Sequence, residues 1–309
     1  MKQDKGRLDP GGLLHLSVVY VVWSSTYLAI RFAVREGAGF PPFTLGLMRA
    51  ALGGAVLLAW SWLRRKNIRP KREELIVLAA SGLLLWVGGN GLVTFAEQRT
   101  DSGLAALMVA AAPIWAALIE AVIDRRWPSS QFAVALVLGF SGITILTIPN
   151  LSSGQRADSI AMLALVVATI TWSAGSVLQA RKPVELAPQV SAAYQMFFGA
   201  AGFALVALLL NEPRPTPTTE AWLAWGYLVL FGSIFAFSSY VTALSKLPTR
   251  IVMTYAYVTP VLAVYLGWLI LNEAVTSSTI IGSVLVLIGV AGVFRERRIP
   301  KGSNETSGD

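Results

Sequence analysis

Ten apolar runs of about 20 residues recur along this chain from Leu13 to Phe294, and they leave little else for it to fold with. At 1.5 Å per helical residue, such a run crosses a hydrocarbon core of about 30 Å, so each can span a bilayer as a helix. The spans are placed at 13–32, 43–63, 75–95, 103–123, 131–149, 159–180, 189–210, 221–243, 250–271 and 278–294. Breakers fall between them: Pro41-Pro42, Pro70, Pro128, Pro149-Asn150, Pro183, Pro188, the stretch from Pro213 to Pro217, and Pro248. A closed barrel would need alternating polar residues, which these runs lack. What remains of the 309 residues is two tails and short loops, too little for a separate water-soluble core. The first run, Leu13 to Phe32, is longer than a signal-peptide core and has no small-residue cleavage site, so it reads as a retained helix. The expectation is an all-α integral membrane protein with ten transmembrane helices.

A formal charge of +8 would suggest a nucleic-acid partner in a soluble protein, but here its distribution decides. With the N-terminus inside, 19 of the 25 Lys and Arg residues fall on the cytoplasmic side, among them Arg64, Arg65, Lys66, Arg69, Lys71, Arg72, Arg125, Arg126, Lys246 and Arg250. Five (Arg31, Arg35, Arg99, Arg156 and Arg214) fall on the other side, and Arg49 lies within a span. This bias places both termini in the cytoplasm of a cell (inner) membrane protein. The surplus reads as a solvated face near anionic lipid; no nucleic-acid partner is expected. Cys is absent and His occurs once, at His15, so thiol chemistry and Cys/His metal cages are excluded and no cofactor is expected. No base–nucleophile set, acidic pair or Schiff-base lysine lies at membrane depth, which argues against an enzyme or a retinal protein.

The two halves resemble each other in register. Trp23-Ser24 corresponds to Trp172-Ser173, Pro42 to Pro188, Gly53 to Gly199, Pro113 to Pro260 and Gly142 to Gly289, at offsets of 146 to 149. Each half, 13–149 and 159–294, carries five spans. Because five is odd, the second copy must enter from the opposite face, so the repeat is expected to be inverted. Inverted repeats are the architecture of alternating access. The other reading is a five-span duplication that merely builds a bundle.

Three motifs carry a family resemblance: WSSTYLAIRF (Trp23 to Phe32), PPFTLGLMRA (Pro41 to Ala50) and ALMVAAAPIWA (Ala106 to Ala116). The second copy echoes them as WSAGSVLQAR (Trp172 to Arg181), APQVSAAYQM (Ala187 to Met196) and MTYAYVTPVLA (Met253 to Ala263), ending in LNEAVT (Leu271 to Thr276). In their order and spacing the chain resembles the drug/metabolite transporter superfamily, specifically the EamA type with two tandem five-helix units. The resemblance implies export or exchange of small metabolites, amino acids or drugs. One departure is Asp124-Arg125-Arg126 at the end of the first copy's fourth helix, where the second copy has Asn272-Glu273.

Ionisable residues at membrane depth are costly and mark function. By the assigned spans only Arg49 and Glu120 qualify, Arg49 about 10 Å below the outer end and Glu120 about 6 Å from the cytoplasmic end. Tyr27, Arg49 and Asn90 form one candidate layer; Gln195, Ser176 and Tyr255 form its counterpart in the second half, giving two gates around a midplane site. Trp23, Trp115 and Trp172 occupy the midplane, beside Pro113 and Pro260. Trp172, Ser176 and Gln179 share one helix face at i, i+4 and i+7. These ten residues are the candidate substrate-binding set. Arg49 either binds a substrate carboxylate or phosphate, holds the outer gate, or ties helix-end carbonyls; the tryptophans either line a cavity or pack helices. Trp60, Trp62, Trp127, Trp222 and Trp225 read as interface anchors. Small-residue stripes Ala135/Gly139/Gly142 and Gly282/Gly289 read as scaffold or as the interface of a possible homodimer. The expected partners are a small-molecule substrate and the lipid bilayer. A nearly uncharged cavity suits an amphipathic, zwitterionic or neutral solute, carried with weak or no proton coupling. The rival is a lipid or lipid-linked-sugar translocator on the same bundle.

Overall fold

The computed structural model describes residues 8–35, 37, 39–99, 102–151, 158–262 and 276–295, and among these there is no β-strand. The helices are α1 (Pro10–Ala33), α2 (Pro42–Leu63), α3 (Arg72–Glu97), α4 (Ser102–Val109), α5 (Ala112–Asp124), α6 (Ser130–Leu151), α7 (Ser159–Arg181), α8 (Pro188–Leu209), α9 (Thr219–Lys246), α10 (Thr249–Val252), α11 (255–262) and α12 (Ser277–Arg295). Seven stretches are long and apolar enough to cross a membrane: α1, α2, α3, Leu107–Asp124, α7, α8 and α9. Ser130–Ile145 and Ile280–Arg295 are shorter apolar helices. The expected span at 250–271 is helical from α10 into α11, and its remainder lies outside the described residues.

Local chemistry starts and stops the helices at equivalent points in the two halves. The Asp9 carboxylate accepts the Gly12 N–H at 2.6 Å, and Asp158 accepts the Ile160 N–H at 2.9 Å, capping α1 and α7. Pro42 and Pro188 open α2 and α8 at the first helical position, where a missing N–H costs nothing. Left-handed residues follow the ends of the same two helices, Arg65 at φ 52° and Asn211 at φ 48°. Both α3 and α9 widen into π-helical turns, at Leu83–Gly91 and Leu228–Phe237. Glu212 adds an unequal feature: its carboxylate accepts the Phe43 and Thr44 N–H groups at 2.9 and 2.7 Å, placing a negative charge on the positive end of α2.

The halves interlock rather than sit side by side. α2 packs on α8, α6 on α12, α1 on α9 and α3 on α7. Along α1 the contacts run antiparallel to α9: a Cβ at Gly12 would meet Leu247, the Trp23 indole N–H donates to the Gly232 carbonyl at 3.4 Å, and Ser25 bonds the Tyr227 hydroxyl at 2.6 Å. α3 and α7 are likewise antiparallel, with Gly175 against Leu85, Gly89 against Trp172, and Arg99 3.8 Å from Asp158. α1 and α3 finish together, where Gln98 donates to the Val34 carbonyl at 3.2 Å. The end that holds Asp9, Lys71 and Lys246 is called the basic face below, and the end holding Glu97 and Glu212 the opposite face.

The small-residue stripes serve contacts within the chain. A Cβ at Gly142 would lie 2.6 Å from the Gly282 carbonyl oxygen, and one at Gly289 2.6 Å from the Gly139 nitrogen, so α6 and α12 approach backbone to backbone. Of the proposed anchors, Trp60, Trp62, Trp127 and Trp222 are exposed, whereas Trp225 is partly buried edge-on against Trp222.

Candidate functional site

The break between α4 and α5, the π turns of α3 and α9, and the middles of α1 and α7 surround a cavity. Its lining steps from Trp23 to Ile30 along α1 and from Trp86 to Val93 along α3, so it rises from mid-helix toward the opposite face. Pro113 lies in the first turn of α5, and Ser173 of α7 donates to the Ala112 carbonyl at 2.9 Å, tying the helix break to the cavity wall. A Cβ at Gly89 would lie 2.6 Å from the Trp172 ring, so only glycine lets that indole pack onto α3.

Arg49 is the single formally charged residue in the lining and is 4% exposed. Its Nε donates to the Ser233 hydroxyl at 2.7 Å and its Nη1 to the Asn90 carbonyl oxygen at 3.3 Å. The guanidinium lies over the Trp86 ring, 5.3 Å from its centroid. Gly232 leaves room beside Nη2, which would be 3.0 Å from a Cβ there. None of these partners is ionised, and Nη2 has no acceptor among the described residues.

Toward the basic face the cavity ends on packed rings. The Trp23 centroid is 4.9 Å from Tyr255, 5.1 Å from Tyr240 and 5.4 Å from Trp172. The fully buried Tyr240 hydroxyl accepts the Trp172 indole N–H at 3.1 Å and shares a 2.6 Å bond with Ser176. Beyond this plug lies a broad cleft on the basic face, lined by Glu120, Asp124, Arg126, Lys246 and Arg250. Ion pairs tie its rim: Asp9 to Lys246 at 3.3 Å and Asp124 to Arg181 at 2.6 Å, with Lys71 to Glu185 at 2.5 Å nearby.

Six of the ten candidate residues meet in the cavity: Trp23, Tyr27, Arg49, Asn90, Trp172 and Tyr255. The other four do not line it. Ser176 is turned to Tyr240, and the Gln195 amide donates to Ser81 at 2.9 Å and Gln179 at 2.7 Å in a separate buried cluster. Trp115 lies outside the lining although α5 contributes Ala112. Tyr255 lines the same cavity as Asn90 and Arg49 and stands against Trp23 in the ring plug at its basic-face end.

Sequence reasoning missed Trp86, Tyr240, Ser233 and Glu97. Trp86 had a usable signal, since it sits four residues before Asn90 on the same helix face. Glu97 falls two residues beyond the expected third span, but α3 continues to it and buries it at 4% exposure, with neither carboxylate oxygen bonded among the described residues. It shares a pocket at the opposite face with Arg31, Arg35 and Gln98. Glu97 thus adds a buried carboxyl at the end of α3, beyond the span expected at 75–95.

Comparison with known proteins places this architecture. The sequence profile of the EamA-like transporter family matches twice, over residues 10–148 and 159–295. The chain is 32% identical over 254 residues to a protein of Escherichia coli K12 named uncharacterized inner membrane transporter YedA, covering 82% of this chain and 80% of that one. It is 22% identical over 280 residues to the uncharacterized transporter YoaV of Bacillus subtilis, covering 90% and 94% of the two chains. One solved crystal structure superposes with a TM-score of 0.73 at 23% identity, over 93% of this chain and 98% of the other, which supports the fold. With apolar helices of membrane length throughout and a family match to both halves, this multi-pass membrane protein belongs to the EamA-like transporter family.

Proposed function

We propose that the chain is a secondary transporter that exports or exchanges small amphipathic metabolites by alternating access, from ten transmembrane helices in two inverted five-helix repeats. The observation that carries this reading is the cavity around Arg49, walled by Trp23, Trp86, Trp172 and Tyr255 and closed toward the basic face by packed rings. The antiparallel pairing of α1 with α9 and of α3 with α7 supports inversion, since α1 and α3 run together while their repeat equivalents α7 and α9 run against them. Such halves can exchange roles and open the same site to either side. The surplus of basic residues at the Lys71 and Lys246 end supports an inner-membrane orientation with both termini cytoplasmic.

Comparison of medium and cell metabolites with and without overexpression tests the reading. Accumulation of one class of small solute outside the cell is the expected result. An altered lipid profile with no change in soluble metabolites would instead identify a lipid translocator. Transport in proteoliposomes is expected to proceed without an imposed pH gradient; strong gradient dependence abolished by Glu97→Gln or Glu120→Gln would overturn uncoupled exchange.

A further inference from the structure

Among the described residues, Arg49 is a buried cation without a counter-ion. Inside a membrane protein, an ionised side chain is normally paired with an opposite charge or bonded to several acceptors. Arg49 has a fork of five N–H donors, of which the protein engages one on Nε with Ser233 and one on Nη1 with Asn90. Among the described residues, no acidic side chain lines its cavity. The guanidinium lies over the face of Trp86, which is 2% exposed and lines the same cavity. A guanidinium with donors to spare beside an apolar cavity is costly unless something that accepts binds there.

The walls define the rest of the ligand. Below Arg49 are the rings of Trp23, Trp172 and Tyr255, and above it the aliphatic side chains of Ile30 and Val93. An apolar or aromatic body fits that lining, whereas a second strong charge would find no partner in it. A dianionic phosphate would overcompensate a single guanidinium in a site of low dielectric.

Resting on the transporter reading above, we propose that the substrate is an amphipathic monoanion. Its carboxylate is held by Arg49, and its apolar body lies on Trp23, Trp172 and Tyr255. Arg49 is then a specificity-determining residue that selects the charge of the solute. The planar fork can take a carboxylate with two parallel bonds, and an ammonium in its place can supply only a point charge.

The test uses the full chain in nanodiscs of zwitterionic phosphatidylcholine and three probes of one shape: phenylacetate, phenylacetamide and phenethylamine. Binding is read by intrinsic tryptophan fluorescence and by thermal shift. Phenylacetate is expected to bind about tenfold or more tighter than the amide, as charge-assisted bonds to one guanidinium allow. Arg49→Gln is expected to erase that difference and Arg49→Lys to restore part of it. Equal binding of all three probes, preference for the amine, or an unaltered preference in Arg49→Gln would overturn the assignment. So would probe binding that is blocked by adding phosphatidylglycerol, since the anion site would then belong to a lipid headgroup. Counterflow in proteoliposomes separates the two readings. Carboxylate-selective binding without movement of any solute defeats the transporter and leaves the site, while transport without charge preference does the reverse.

Discussion

The Tyr240 hydroxyl is the polar pin of an otherwise apolar plug. It accepts from Trp172 Nε1 and shares a hydrogen bond with Ser176, so two groups on α7 depend on one atom of α9. Tyr240→Phe keeps the ring contacts with Trp23 and Tyr255 and removes that atom. The Trp172 N–H then joins Trp86 as a buried donor without an acceptor, at a cost of about 1–3 kcal/mol. Thermal unfolding in detergent should show a lower midpoint, and an unchanged midpoint would mean that water or a shifted Ser176 replaces the hydroxyl. This layer is partly legible from the residues alone. Pairing Trp23 with Trp172 through the repeat led to two walls of the cavity, but Tyr240 has no counterpart that marks it. A polar group whose role is to bond another candidate shows no periodicity of its own.

At the scale of helices, the ends were legible because they rest on local chemistry. The prolines at 42 and 188 and the capping aspartates at 9 and 158 act on the first turns that follow them. The π turns of α3 and α9 were not legible, because they arise where α3 and α9 are pressed against the other half. α3 runs on to Glu97, two residues past the span expected at 75–95. Close helix contact can be checked at two glycines of opposite character. A Cβ at Gly142 would be 2.6 Å from the Gly282 oxygen and 2.7 Å from the Val286 nitrogen, both backbone atoms that cannot step aside alone. Gly142→Ala should therefore destabilise by about 1–3 kcal/mol through overpacking, more than the gain of up to about 1 kcal/mol in helix propensity. At Gly226 of α9 a Cβ would meet nothing within 4 Å, so Gly226→Ala should show the propensity gain alone. Equal shifts in unfolding midpoint for the two variants would contradict backbone contact between α6 and α12.

For the molecule as a whole, the question is which face the site sees. Because the chain has no Cys, single cysteines can report access without prior removal of others. Asn90→Cys and Tyr255→Cys line one cavity and should react with an impermeant thiol reagent from the face opposite to Ser245→Cys, which lies in the basic-face cleft. Labelling of Tyr255→Cys only from the side that labels Ser245→Cys would reverse this assignment. The ion pairs at the basic face should hold that side shut. Asp9 is kept below the ordinary carboxylate range chiefly by the Gly12 amide and then by Lys246, and Glu185 by its bond to Lys71, which is itself raised. A lowered carboxyl value stabilises the closed face at all pH above the unfolded value and is lost as pH falls through the folded one. A raised lysine value stabilises below its ordinary 10.5 and is lost as pH climbs past the folded one. Between about pH 5 and pH 10 these pairs should therefore hold access constant. Combining Asp9→Asn, Asp124→Asn and Glu185→Gln removes all three pairs at once. The expected result at neutral pH is faster labelling of Tyr255→Cys from the basic face, with labelling from the opposite face reduced in step. If both rates fell or both rose together, the ion pairs would be supporting the bundle as a whole and would not bias its two orientations.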